Sequence, residues 1–135
     1  MLLDTSGLLC HQYSGETHHL LALRLFESSG RKLIHSYVLA EFLALVTARR
    51  LNRGQALNFL QNLPLHPLVE VVWVDRLLHE QALALLEARP DKNYSLCDAV
   101  SFVLMKERTF LDALTTDHHF EQEGFHRLLG AAEQR

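Results

Sequence analysis

The stretch Tyr37-Val-Leu-Ala-Glu-Phe-Leu-Ala-Leu-Val-Thr-Ala48 constrains this chain more than any other, because Glu41 carries its only charge. If the stretch is a helix, residues three and four positions away share the face of Glu41. Those residues are Tyr37, Val38, Ala44 and Leu45, and none can neutralise a carboxylate. Placing an ionised carboxyl in such surroundings costs on the order of several kcal/mol unless it protonates, finds a polar partner or meets a cation. Some other part of the chain must therefore deliver polar groups or a cation to Glu41.

The rest of the sequence offers short apolar runs alternating with helical spacing. Met1-Leu-Leu reads as a buried strand ending at Asp4, and Lys32-Leu-Ile-His35 as a second strand. Val69–Val74, rich in β-branched residues, is the clearest strand and places Trp73 in the core. Ala113–Thr116 reads as a strand ending at Asp117, and Phe125–Leu129 as an edge strand before a polar tail. Between them, helices are predicted over Leu8–Gln12, Thr17–Ser28, Gln55–Asn62, Ser95–Arg108 and His118–Glu123, and from Asp75 to Ala88. Ser36 is the predicted N-cap of the Glu41 helix, which should end near Arg49-Arg50. This alternation predicts an α/β fold with a mostly parallel sheet of four or five short strands, and 135 residues suit one domain spanning 1–135.

Composition narrows the function classes. A net charge of −3 carries no overall signature of nucleic-acid binding, although local patches matter more than the sum. Cys10 and Cys97 have neither metal-type spacing nor a disulfide framework, so reduced thiols in a cytoplasmic protein are expected. No leader is expected before the first strand, and no apolar run is long enough for a membrane span. The nine histidines include the neighbours His18-His19 and His118-His119. Adjacent helical residues point in different directions, so surface or packing roles are expected for them rather than a zinc site.

In open parallel sheets, ligands bind beyond the carboxyl ends of the strands. Asp4 and Asp117 both follow predicted strands, and helices starting at that edge carry Glu41 and Asp98 near their first turns. Each acid but Glu41 has a plainer reading as a helix cap, and Ser95-Leu-Cys-Asp98 has capping-box spacing. Together, four converging carboxylates would repel one another unless a cation sits among them. An all-oxygen cluster of this kind suits Mg²⁺ or Mn²⁺ and the phosphate chemistry those ions support.

Four segments, Met1-Leu-Leu-Asp-Thr-Ser6, Val38-Leu-Ala-Glu-Phe42, Ser95-Leu-Cys-Asp-Ala-Val-Ser101 and Leu114-Thr-Thr-Asp-His-His-Phe120, resemble the four motifs of the PIN domain. The resemblance runs in the family's order from Met1 to Phe125 and is strongest to the VapC-type toxin ribonucleases of type II toxin–antitoxin pairs. It implies a three-layer α/β/α fold and a Mg²⁺- or Mn²⁺-dependent endoribonuclease leaving 5′-phosphate and 3′-hydroxyl ends. It also implies a cognate antitoxin protein and a homodimer. Carried over, the metal-holding acids are Asp4, Glu41, Asp98 and Asp117, with Asp4 and Asp98 the firmest ligands. Thr115 stands at the family's Thr-x-Asp position, and Thr5 or Ser6 is a similar hydroxyl beside Asp4. Gly7 departs from the family, where alanine is common, and Cys97 from a small or polar residue.

RNA also requires cations for its phosphates, for which Arg49, Arg50, Arg53 and Lys92 are candidates. Three rival readings stand beside the toxin nuclease. They are a PIN-fold nuclease that processes RNA without being a toxin, a PIN-fold interaction module without catalysis, and a phospho-accepting receiver domain. The last is disfavoured because Asp4 has no neighbouring acid and no lysine follows Lys106.

Overall fold

The computed structural model describes residues 1–130. Five short strands form one sheet: β1 (Leu2–Leu3), β2 (Lys32–His35), β3 (Val69–Val72), β4 (Asp112–Leu114) and β5 (His126–Arg127). They lie in the order β3-β2-β1-β4-β5, and every pairing is parallel. The connecting helices are α1 (Thr5–Gln12), α2 (His19–Ser28), α3 (Ser36–Ala48), α4 (Arg53–Asn62), α5 (Arg76–Ala88), α6 (Leu96–Arg108) and α7 (His119–Gln122).

Side chains alternate across a strand, and here successive residues enter two separate cores. Leu3, Ile34 and Leu114 pack with Leu8, Phe26, Val38 and Phe42 under α1 to α4. Leu2, Leu33 and Ala113 pack with Ala82, Val100, Phe102 and Phe120 under α5 to α7. The result is three layers, α/β/α, as expected. Among the described residues no helix is long and apolar enough to cross a membrane.

Several boundaries differ from those read in the sequence. The first helix begins at Thr5 rather than Leu8, and α4 begins at Arg53, with Asn52 accepting from the Gln55 amide at 3.0 Å. Ser36 is not an N-cap: α3 leaves β2 without a loop, His35 occupies the cap position, and the Ser36 hydroxyl accepts from the Val74 amide at 2.9 Å. Trp73 is not in the core. The edge strand β3 stops at Val72, and Trp73 is 70% exposed over a groove between α3 and α4. Strand β4 stops at Leu114, leaving Thr115 and Thr116 to bend into the site, and β5 is confined to two residues. The polar tail beyond Gly130 lies outside the described residues.

Three local features set the platform for the site. Gly7 lets α1 ride directly on β4, for a Cβ there would lie 1.9 Å from the Leu114 carbonyl oxygen. The departure from alanine at this position thus allows a backbone-to-backbone approach that alanine would block. Helix α3 ends in a Schellman turn: Arg50 is left-handed (φ 56°), its amide bonds Thr47 and the Leu51 amide bonds Val46. Glu123, just after α7, accepts from Arg89, Tyr94 and Lys106 and so ties the Asp117–His119 segment to α5 and α6.

Candidate active site

Strands β2 and β3 lie to one side of β1, and β4 and β5 to the other, so the chain reverses its direction of travel between β1 and β4. Crevices at such a reversal, beyond the carboxyl ends of the strands, are where α/β sheets bind ligands. Asp4 follows β1, Thr115 to Asp117 follow β4, Glu41 projects from the second turn of α3, and Asp98 from the first turn of α6. All four acids line one cavity of about 440 Å³.

Hydroxyl groups organise the carboxylates. Asp4 sits at the N-cap position of α1 without capping it. Its Oδ2 instead accepts from Thr115 Oγ1 at 2.7 Å and, more loosely, from Ser6 Oγ at 3.4 Å. Thr115 in turn accepts from the Asp117 amide at 3.0 Å, and Ser6 from the Thr116 amide at 2.9 Å. Thr115 has one proton and gives it to Asp4, so it accepts in the 3.1 Å contact between the two hydroxyls, and the single Ser6 proton is shared between Thr115 and the longer contact to Asp4. Thr5 donates to Glu41 Oε1 at 2.5 Å, which supplies the polar partner that the apolar face of α3 withholds.

Asp98 is both a cap and a wall of the cavity. Its Oδ2 accepts from the Ser95 amide at 3.0 Å while Ser95 accepts from the Asp98 amide, closing the capping box. The two readings of this residue are compatible because the box engages Oδ2 alone. Asp117 Oδ1 accepts from the His119 amide at 2.9 Å.

The electrostatics are those of acids crowded in a poorly solvated place. Burial raises the Asp4 carboxyl to about 7, the Asp98 and Glu41 charges add to the rise, and the Thr115 hydrogen bond opposes it. Burial also raises Asp98, with the Asp117 charge adding and the Ser95 hydrogen bonds opposing. Cys97 is buried beside the cluster, where burial and then the Glu41 and Asp4 charges push its thiol far up, so it stays protonated. Cys10 is likewise a free buried thiol.

His119 is the residue that the sequence reading missed. Its Nδ1 lies 3.3 Å from Asp98 Oδ2 and 3.2 Å from Asp117 Oδ1, yet neither contact has hydrogen-bond geometry and the atom is buried. Asp117, His118 and His119 offer ligand atoms within 4.8 Å of one another. The one available signal was its position two residues beyond a strand-end acid. The ring direction depends on how the single turn of α7 is seated, which spacing alone does not specify.

A cation would give the orphaned nitrogen that faces two carboxylates a partner, and would favour the ionised form of a carboxyl that burial, and to a lesser degree its acidic neighbours, raises. The oxygen-rich donor set fits a hard divalent ion.

The family model of the PIN domain matches residues 1–125. The chain belongs to the PIN domain family. Its fold is similar to the crystal structure of Mycobacterium tuberculosis VapC20, a sarcin–ricin loop cleaving toxin. The TM-score is 0.83 at 28% sequence identity, covering 93% of this chain and 95% of that one. Among curated proteins no match was found.

Proposed function

We propose that this chain is a divalent-metal-dependent endoribonuclease, acting as the toxin of a toxin–antitoxin pair, with one PIN domain over residues 1–135. The observation that carries the reading is the convergence of Asp4, Glu41, Asp98 and Asp117 on one cavity, in a chain of this family that is similar to an RNA-cleaving toxin. Asp4 and Asp98 would hold Mg²⁺ or Mn²⁺ most directly, with Glu41 and Asp117 completing the donor set and His119 Nδ1 facing it. When bound, such an ion supplies Lewis acidity and neutralises charge building on a phosphodiester.

The chain's own groups supply position. Thr115 and Thr5 fix the rotamers of Asp4 and Glu41, so neither carboxylate must reorganise as substrate arrives. The Thr115 hydrogen bond also favours the ionised Asp4 that metal binding requires. The Thr5 and Ser6 hydroxyls of the cavity are engaged with Glu41, Asp4 and Thr115, and the Cys97 thiol buried beside it stays protonated, so this reading takes water as the attacking group.

By similarity to the sarcin–ricin loop cleaving toxin, the substrate is a structured RNA whose cleaved linkage lies in a loop. A small antitoxin partner and a pairing of two copies belong to the same reading. Cleavage of a sarcin–ricin loop hairpin with Mn²⁺, and its loss with EDTA, is the test. Asp4→Asn and Asp98→Asn are expected to lower kcat by about 100-fold or more, the scale of losing electrostatic stabilisation in a site of this kind. Unchanged cleavage in either variant overturns the mechanism. Copurification of a small partner from the native host tests the antitoxin assignment.

A further inference from the structure

A second cavity, of about 450 Å³, lies beside the acidic one, and Ser6, Leu45 and Thr116 line both. Glu16, Thr17 and His18, from the turn joining α1 to α2, build its far side together with Arg49 at the end of α3. Arg49 is half exposed, and its guanidinium lies 3.4 Å from Glu16. Among the described residues, it is the one lysine or arginine that lines either cavity.

The structure separates the three arginines that the sequence groups. Arg53 lines the apolar groove with Trp73 and Leu57 on the outer face of α3 and α4, and Arg50 closes the Schellman turn. Other cations are committed elsewhere: Arg108 and Arg31 to Glu70, Arg89 and Lys106 to Glu123, Arg127 to Glu121.

An RNA entering the acidic cavity brings a charge at every linkage. An ion among the carboxylates compensates the phosphate being cleaved, but the next phosphate along faces the same acids without one. The volume of the second cavity falls within the roughly 300–1,000 Å³ typical of small-ligand sites, enough for one splayed nucleotide. We propose that this cavity seats the nucleotide adjacent to the cleaved linkage, with Arg49 on its phosphate, the Thr17 hydroxyl beside it, and Glu16 as the carboxylate that this phosphate displaces. The proposal rests on the ribonuclease reading and assigns the subsite next to the cleaved bond.

The test measures cleavage and binding of an RNA hairpin at several salt concentrations by the wild type, Arg49→Ala, Arg49→Lys and Arg53→Ala. Arg49→Ala is expected to raise KM about tenfold with kcat little changed, and to reduce the salt slope by about 0.7, the value for one single-strand phosphate contact. Arg49→Lys should keep most of the slope, and Arg53→Ala should match the wild type. A scan of single methylphosphonate linkages then locates the contact. At one position flanking the cut the wild type should lose the same tenfold, and Arg49→Ala should lose nothing further. Wild-type KM and salt slope in Arg49→Ala, or additive losses at every methylphosphonate position, overturn the proposal while leaving the ribonuclease reading intact. A wild type that cuts no RNA removes both.

Discussion

Thr115 gives its proton to Asp4 and takes the Asp117 amide in return, so a single hydroxyl couples two of the four acids. Because that bond favours the ionised carboxyl, Thr115→Val should raise Asp4 further above 7. A metal ion needs Asp4 deprotonated, so the Mn²⁺-induced rise in Tm is expected to be large at pH 8 and to fade as the pH falls through 7. In Thr115→Val the same fade should occur at higher pH. Thermal scans across pH, with and without Mn²⁺, check both, and a pH-independent Mn²⁺ effect would contradict them. His35 makes the opposite kind of contribution. Burial lowers its imidazole from 6.5 to about 4, and its Nε2 contacts Ser101 Oγ at 2.8 Å. The unfolded chain therefore takes the proton first, so stability present above pH 6.5 is lost as the pH falls towards 4. His35→Gln should flatten that limb of the urea-unfolding profile by up to about 3 kcal/mol relative to the wild type, at about 1.4 kcal/mol per unit. At this scale Asp4, Asp98, Asp117 and Thr115 were legible because each follows a strand or opens a helix in a recognisable motif, and Glu41 because it is the one charge in an apolar helix. His119 and Trp73 were not, since their placement depends on where a short element stops rather than on pattern.

Element boundaries show the same division. Strands and helices were readable wherever apolar periodicity was long, as in α3, α5 and α6, and the Asp75 cap and the Ser95 capping box were read correctly. The helix start at Thr5 was not, because Thr5-Ser6-Gly7 has poor helix propensity and is held by tertiary contact with β4. Gly7 makes that contact possible. Gly7→Ala must push α1 away from the Leu114 carbonyl, and is expected to cost about 3 kcal/mol of stability by denaturant unfolding, the upper range for overpacking. It should also impair cleavage, since α1 carries the Thr5 and Ser6 hydroxyls. The end of α3 offers the converse. Arg50 holds a left-handed conformation that glycine adopts without strain, so Arg50→Gly should stabilise the fold by up to about 1 kcal/mol. A loss of stability in that variant would show that the Arg50 side chain contributes more than its backbone costs.

Across the whole molecule, the site stands where strand β1 meets strand β4, and the two runs of chain that meet there contribute unequally in kind but equally in number. Asp4 and Glu41 come from the first run, Asp98 and Asp117 from the second. The loop at residues 89–93 falls between them, so a chain severed there would have two acids on each fragment and the complete donor set on neither. Activity in such a split protein should then report reassembly of the fragments, rising with their concentration and absent from either alone. Cleavage by one fragment by itself would mean that fewer than four carboxylates suffice.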